Sequence, residues 1–488
     1  MKSLSLLLLC ILLCASTFVH AVNINTPISI KTDPDMDYPE TIVTSPNPEF
    51  EQLEEMALGL FSFCDRYNRD GTEKNTKNVA FFNETLTLLK QKSDNLQWRQ
   101  DIDAILLGKE MNEKYTNAVK KPVVLIPGIT ASGLVAKFDI ASNWFKIWAN
   151  MWDIVCQDSL FKNFEPSFDP NTKKFKNAEG INILPHDFGG VEGVDYIDQT
   201  FKLFTNVFGK MINYFTGLGY KSHQIRGAPY DWRLPIQSLF DNGWMSKFQQ
   251  LIEDTYTNNG NQRVVLISHS MGGLVTTAFL NTMTEAWRDQ YIDTFVPMSA
   301  PWSGAPKSIE NVVSGESMGW GIIPKWRLRN FARTSGGVIQ LIPNDYVYDQ
   351  NKIVVVGPGN ERFSVSNITT LFSRVDPIAG AIHEFVKHPA IRTPENKPLV
   401  NTLCIYTTGV DTVSAFDYSM GYDRSPRQYM NAKKGDGTVP FESLASCNSW
   451  SSSDKHRLVK KEFSGVEHAA ILKEAKVFEY IVKNVLKQ

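Results

Sequence analysis

The sequence predicts an α/β protein built on a mostly parallel, doubly wound sheet. Short apolar runs rich in β-branched residues recur from about residue 120 onward, and amphipathic segments with three- and four-residue apolar spacing separate several of them. A third observation is Val264–Val275 (VVLISHSMGGLV), where a fully apolar strand runs directly into a helix through a turn of small residues.

Taken in order, the chain opens Met1-Lys2-Ser3, continues apolar from Leu4 to Val19, and reaches a small-x-small site at Val19-His20-Ala21. Residues 1–21 therefore read as a secretory signal peptide. No other run reaches the roughly 18 unbroken apolar residues that a membrane span needs. Residues 22–119 form a second unit. Its first part is polar and carries Pro27, Pro34, Pro39, Pro46 and Pro48; its second part reads as helices in FEQLEEMALGLFSF, VAFFNETLTLLKQK and LQWRQDIDAILLGKEMNEKY. A cap, a partner site and a removable pro-segment are all open for this extension.

The pattern changes at Pro122, and residues 120–488 read as the main domain. Strands are expected in KPVVLIPGITASGL, NQRVVLISHSMGG, YIDTFVPMSAPWSGAPK, NTLCIYTTGV and HRLVKKEFSGVEH. TFKLFTNVFGKMINYFTGLGY and GWMSKFQQLIEDTYTN are helical by spacing. The regions 140–200 and 305–395 fit the sheet poorly. They are expected to be cap or lid insertions over the strand ends.

With 50 basic and 52 acidic residues the net charge is −2, and no basic run offers a nucleic-acid footprint. Cys10 and Cys14 leave with the signal peptide. Cys64, Cys156, Cys404 and Cys447 then allow up to two disulfides, in any of three pairings, and are too widely spaced for a zinc knuckle. Asn83-Glu84-Thr85 and Asn367-Ile368-Thr369 match the N-glycosylation pattern.

Ser-His-Ser-Met-Gly (268–272) approximates a nucleophile elbow, with Ser268 where the pattern has glycine and Ser270 as the nucleophile. A serine hydroxyl needs a base within hydrogen-bond reach and a carboxylate to orient that base. In this kind of sheet they follow in the order serine, acid, histidine, at the ends of later strands. His456 and His468 lie after the fourth strand. His456 sits among charges (Asp454, Lys455, Arg457) as a surface residue would, whereas His468 ends a strand and opens a helical run. Asp436, between two glycines in KKGDGTVPFESL, is the candidate acid, and Asp411 in TTGVDT competes with it. The backbone N–H groups of Met271 and Ile129 are the candidate oxyanion donors, with Gly128 leaving room for substrate.

In this order, VVLIPGITASGLVAKF, RGAPYDWRL, LISHSMGGL, SAPWSGAPK and GDGTVP followed by GVEHAAIL resemble the lecithin:cholesterol acyltransferase family, from about Lys121 to the C-terminus. That family includes lysosomal phospholipase A2 and phospholipid:diacylglycerol acyltransferases. The resemblance implies an α/β-hydrolase fold with Ser270 as nucleophile, Asp436 as acid, His468 as base, and Ile129 and Met271 at the oxyanion. It also implies a Cys404–Cys447 disulfide, and it matches Trp148 to an aromatic near the acyl or headgroup site. The plasma enzyme's lid-loop cysteine pair is not reproduced; Cys156 lies in that region, with Cys64 as its nearest candidate partner.

The activity implied is acyl transfer from a glycerophospholipid, at a membrane or lipoprotein-like surface, to a sterol, another lipid alcohol or water. It would need no metal and no cofactor. A neutral lipase or other lipid esterase on the same scaffold is the alternative. A secreted or lysosome-like location fits either.

Overall fold

The computed structural model describes residues 77–114, 120–139, 143–149, 162–199, 202–203, 205–316, 325–387, 397–452 and 455–486, with side chains from residue 91 onward. Residues 1–76, with the segments read as a signal peptide, a proline-rich arm and the helix FEQLEEMALGLFSF, lie outside the described residues, as do Cys64, Cys156 and the side chain of Asn83.

Apolar runs bounded by turn residues form the central sheet: β1 (Val123–Ile126), β2 (Ile225–Gly227), β3 (Val264–His269), β4 (Ile292–Met298), β5 (Thr402–Thr408) and β6 (Leu458–Ser464). All five pairings are parallel, and the spatial order is β6-β5-β4-β3-β1-β2. Strands β1, β3 and β5 are buried along their whole length, as parallel strands covered on both faces must be. Edge strand β6 is instead half exposed and presents Lys460 and Lys461, which discourages pairing with another chain. Strand β2 is missing from the periodicity reading because three residues are too short to show a period.

The parallel arrangement gathers the C-terminal ends of all six strands along one edge. Chain order reverses between β1 and β3, so the loops leaving these adjacent strands flank the crevice where open α/β sheets bind ligands.

The excursions form small antiparallel sheets. Leu134–Phe138 lies between Phe145–Trp148 and Ile181–Pro185, and Ser167–Asp169 pairs with Lys174–Lys176. A four-stranded sheet combines Ile353–Val356 and Arg362–Ser364 with Val413–Asp417 and Arg427–Met430. Asn367 is exposed beside it, its side-chain oxygen accepting from the Ser364 N–H.

The stretch PYDWR (229–233) fastens two of these excursions to the sheet. Arg233 is fully buried and forks onto both Asp231 oxygens, at 2.8 and 2.6 Å. It also donates to the Phe164 carbonyl and to Asn177 Oδ1, both at 2.8 Å. Its own carbonyl accepts from Ser335 Oγ and from the Gly337 N–H. The Arg233 guanidinium thus joins residues 164–177 to the end of β2, and its backbone carbonyl joins residues 335–337. Arg233→Met keeps much of the stem but leaves the Asp231 carboxylate buried and unpaired. It is expected to cost about 3–5 kcal/mol, read as a lowered denaturant midpoint at unchanged slope.

In the extension, VAFFNETLTLLKQK and LQWRQDIDAILLGKEMNEKY, read separately in sequence, belong to one helix, α1 (Lys77–Lys114). It crosses α2 (Gly209–Gly217) at a point where both helices carry glycine. A Cβ at Gly108 would stand 2.1 Å from the Tyr214 carbonyl oxygen, and one at Gly217 would stand 2.1 Å from that of Ile105. Beside the crossing, Asp101 Oδ1 accepts from Gln97 Nε2 (2.6 Å), Asn213 Nδ2 (2.7 Å) and the Tyr196 hydroxyl (3.0 Å). Gly108→Val is expected to force the helices apart at a cost of about 1–3 kcal/mol. Faster amide exchange over 91–114, with the sheet amides unchanged, would report it.

Among the described residues no helix is long and apolar enough to cross a membrane.

Candidate active site

Strand β3 ends at His269 and helix α3 (Met271–Thr282) begins two residues later, so Ser270 must make the whole turn. It does so at φ 52° and ψ −128°, a region costly for a residue with a Cβ, by about 1–3 kcal/mol. Backbone bonds hold it there: its N–H donates to the Met298 carbonyl, and the Gly273 N–H donates to its own carbonyl, both at 2.9 Å.

The small residues around the turn have steric reasons. A Cβ at Gly272 would lie 2.4 Å from the Pro127 carbonyl oxygen, and one at Gly273 would lie 2.6 Å from Ala300 Cβ. Ser268 is fully buried, and its Oγ lies 3.6 Å from where a Gly273 Cβ would be, an ordinary contact.

The candidate acid and base arrive from two later turns at the same edge. Asp436 is fully buried in the Gly435–Gly437 turn, with Gly437 at φ 85°. Its Oδ1 accepts from the Val439 N–H (2.7 Å) and the Thr438 N–H (3.1 Å). Its Oδ2 accepts from His468 Nδ1–H at 2.7 Å. The His468 N–H donates to the Asp436 carbonyl at 2.9 Å, so the two turns are also joined through the backbone. His468 Nε2 then accepts from Ser270 Oγ–H at 2.9 Å. The three side chains form one continuous chain of hydrogen bonds.

The competing residues stand elsewhere. Asp411 is exposed and pairs with Lys434 at 3.0 Å. His456 precedes β6, at the opposite end of that strand from His468, and the strand begins only at Leu458.

Ile129 lies on the loop leaving β1, and Met271 is the first residue of α3, where backbone N–H groups have no acceptor within the helix. The β1 loop lies close against the nucleophile: a Cβ at Gly128 would be 2.9 Å from Ser270 Cβ. Trp148 is buried, stacked on Phe164 at 5.3 Å and edge-on to Trp232 at 4.9 Å. Its indole N–H donates to the Thr130 carbonyl at 2.7 Å, so it braces the loop that carries Ile129.

Cys404 of β5 is bonded to Cys447, fixing the segment after the Asp436 turn to the sheet. Among the described residues no three His, Cys, Asp or Glu side chains gather as metal ligands would.

His269 is the site residue that pattern reading passes over, because the elbow motif admits any side chain before the nucleophile. Only the fold shows its imidazole buried against His468, with ring centroids 4.8 Å apart.

A parallel α/β sheet with a strained serine turn at its switch point, joined by hydrogen bonds to histidine and aspartate, defines an enzyme of the α/β-hydrolase class. The chain belongs to the lecithin:cholesterol acyltransferase family, whose model matches residues 144–382 and 380–475. It is 28% identical over 380 residues to the human lysosomal phospholipase A and acyltransferase, a match covering 75% of this chain and 90% of that protein. It is 29% identical over 362 residues to the chicken phosphatidylcholine-sterol acyltransferase, covering 71% of this chain and 86% of that protein. A plant relative, lecithin-cholesterol acyltransferase-like 1 of Arabidopsis thaliana, is 28% identical over 399 residues, covering 75% of this chain and 89% of that protein.

Proposed function

We propose that the protein is a serine acyltransferase or phospholipase A that takes a fatty acyl chain from a glycerophospholipid. The observation that carries this is the Ser270–His468–Asp436 hydrogen-bonded chain beside the Gly128–Thr130 loop. The substrate class is supported by the family and by the names of the human and chicken relatives.

In the first step Ser270 Oγ attacks the ester carbonyl carbon while His468 Nε2 takes the serine proton. Asp436 holds Nδ1–H and stabilises the imidazolium that forms. The N–H groups of Ile129 and Met271 receive the negative oxygen. The ester C–O bond breaks, and His468 returns the proton to the leaving lysophospholipid oxygen. In the second step an acceptor hydroxyl gives its proton to His468 and attacks the acyl-serine. Ser270 then leaves and is reprotonated. A sterol or other lipid alcohol as acceptor makes the enzyme an acyltransferase; water makes it a phospholipase A. The N-terminal apolar run and the Cys404–Cys447 bond support passage through an oxidising secretory compartment, ending outside the cell or in a lysosome-like one.

The test uses phosphatidylcholine vesicles carrying a labelled acyl chain, with sterol and a ceramide-like alcohol present, at acidic and neutral pH. Label in a new lipid ester identifies a transferase and its acceptor. Label only in free fatty acid identifies a phospholipase A. No release from phosphatidylcholine, with release from triacylglycerol, would overturn the substrate assignment in favour of a neutral lipase.

A further inference from the structure

We infer that His269 is a positioning residue, a neutral imidazole that pins the His468 loop to the nucleophile turn. This rests on the reading of Ser270, His468 and Asp436 given above.

His269 is the last residue of β3 and is 5% exposed. Its Nε2 lies 2.9 Å from the backbone carbonyl oxygen of His468. A carbonyl can only accept, so Nε2 carries the proton. A neutral imidazole has one N–H, which leaves Nδ1 bare. That Nδ1 is buried and has no hydrogen-bond partner among the described residues. It looks onto Gly128, where a Cβ would stand 3.2 Å away. No acceptor is in place to receive a second proton. Burial, with the His468 ring beside it, pushes the His269 pKa down to about 3, partly offset by the hydrogen bond to the His468 carbonyl.

The imidazole therefore fills the space between the β1 loop and the base loop, and it orders both. Asp436 holds His468 through the backbone N–H and through Nδ1. His269 holds the carbonyl of the same residue. With both holds in place, Nε2 stays within reach of Ser270 Oγ. Neutrality matters as well: when His468 becomes an imidazolium, a charged ring with its centroid 4.8 Å away would oppose it.

The experiment compares His269→Phe, which fills the space without a donor, with His269→Gln, which places an N–H near the same point. Rates are normalised to active sites counted with a fluorophosphonate. For the Phe variant, kcat is expected to fall on the order of 10²-fold, with KM nearly unchanged, because the loss is one of alignment. The Gln variant should recover most of that loss. A Phe variant with wild-type kcat, or Gln and Phe variants equally slow, would overturn the inference.

Should the Phe variant not fold, nitrogen NMR of the wild-type imidazoles decides. His269 is expected to keep a protonated Nε2 and a bare Nδ1 from about pH 4 to 8, whereas an ordinary histidine titrates near 6.5. Titration within that range would overturn the inference. Ser270→Ala is run alongside. If it retains activity, the underlying assignment fails; if it is inactive while His269→Phe is unaffected, only the present inference fails.

Discussion

A Ser270→Ala variant is expected to lose on the order of 10⁶-fold in kcat, to fail to react with a fluorophosphonate, and to keep its affinity for lipid vesicles. The size of the loss follows from what the hydroxyl does. Without Oγ there is no covalent intermediate, and the aligned His468 and Asp436 have nothing to activate. What remains is the oxyanion loop and binding, which together leave a residual acceleration of about 10³–10⁴ over water. Stability should not fall. The present residue occupies φ 52° at a cost that alanine shares, and its backbone bonds to Met298 and Gly273 do not involve the side chain. The measurement is acyl release per mole of folded protein; activity within tenfold of wild type would refute the nucleophile assignment.

Asp436→Asn is expected to lower kcat about 10⁴-fold with little change in fold. An asparagine there can still accept from the Val439 and Thr438 N–H groups through its carbonyl oxygen, so the Gly435–Gly437 turn survives. The amide nitrogen would then face His468 Nδ1 where Oδ2 now stands. Being a donor, it would require Nδ1 to accept, and the ring proton would move to Nε2. In that tautomer Nε2 cannot take the proton of Ser270. The prediction is a folded protein, with a melting temperature near wild type, that labels slowly. Asp436→Ala is the contrast: it should be as slow and also less stable, since the buried Val439 N–H and the part-buried Thr438 N–H lose their acceptor.

Much of this site was legible in the chain. Val264–Ile267 reads as a buried strand because four apolar residues run together, and Asp436 between two glycines reads as a turn that presents a carboxylate. His468 stands out because a strand pattern stops and a helical one begins there. Asp436 leads Asp411 in the sequence because its Gly-Asp-Gly turn presents the carboxylate, and the family resemblance points to the same residue. Only the three-dimensional arrangement shows Asp411 exposed and paired with Lys434.

Other features left no local trace. Strand β2 is three residues long and owes its place to pairing with β1. Arg233 resembles any arginine in a polar loop until its contacts with Phe164 and Asn177 are seen. Trp148 reads as any core or surface aromatic until its indole bond to the Thr130 carbonyl shows it supporting the loop that carries Ile129.

The sequence by itself determined the five longer strands of the main sheet, the turns around Ser270 and Asp436, and which residue types are available for acyl chemistry. Those properties depend on periodicity and turn preference within a few residues. Tertiary structure alone decided who meets whom. Ser270 and His468 are 198 positions apart, and His468 and Asp436 are 32. They meet because a parallel sheet in the order β6-β5-β4-β3-β1-β2 brings the C-terminal ends of its strands to one edge. The role of His269 belongs to the same class: the side chain before the nucleophile gains its partner only when the loop after β6 closes over it.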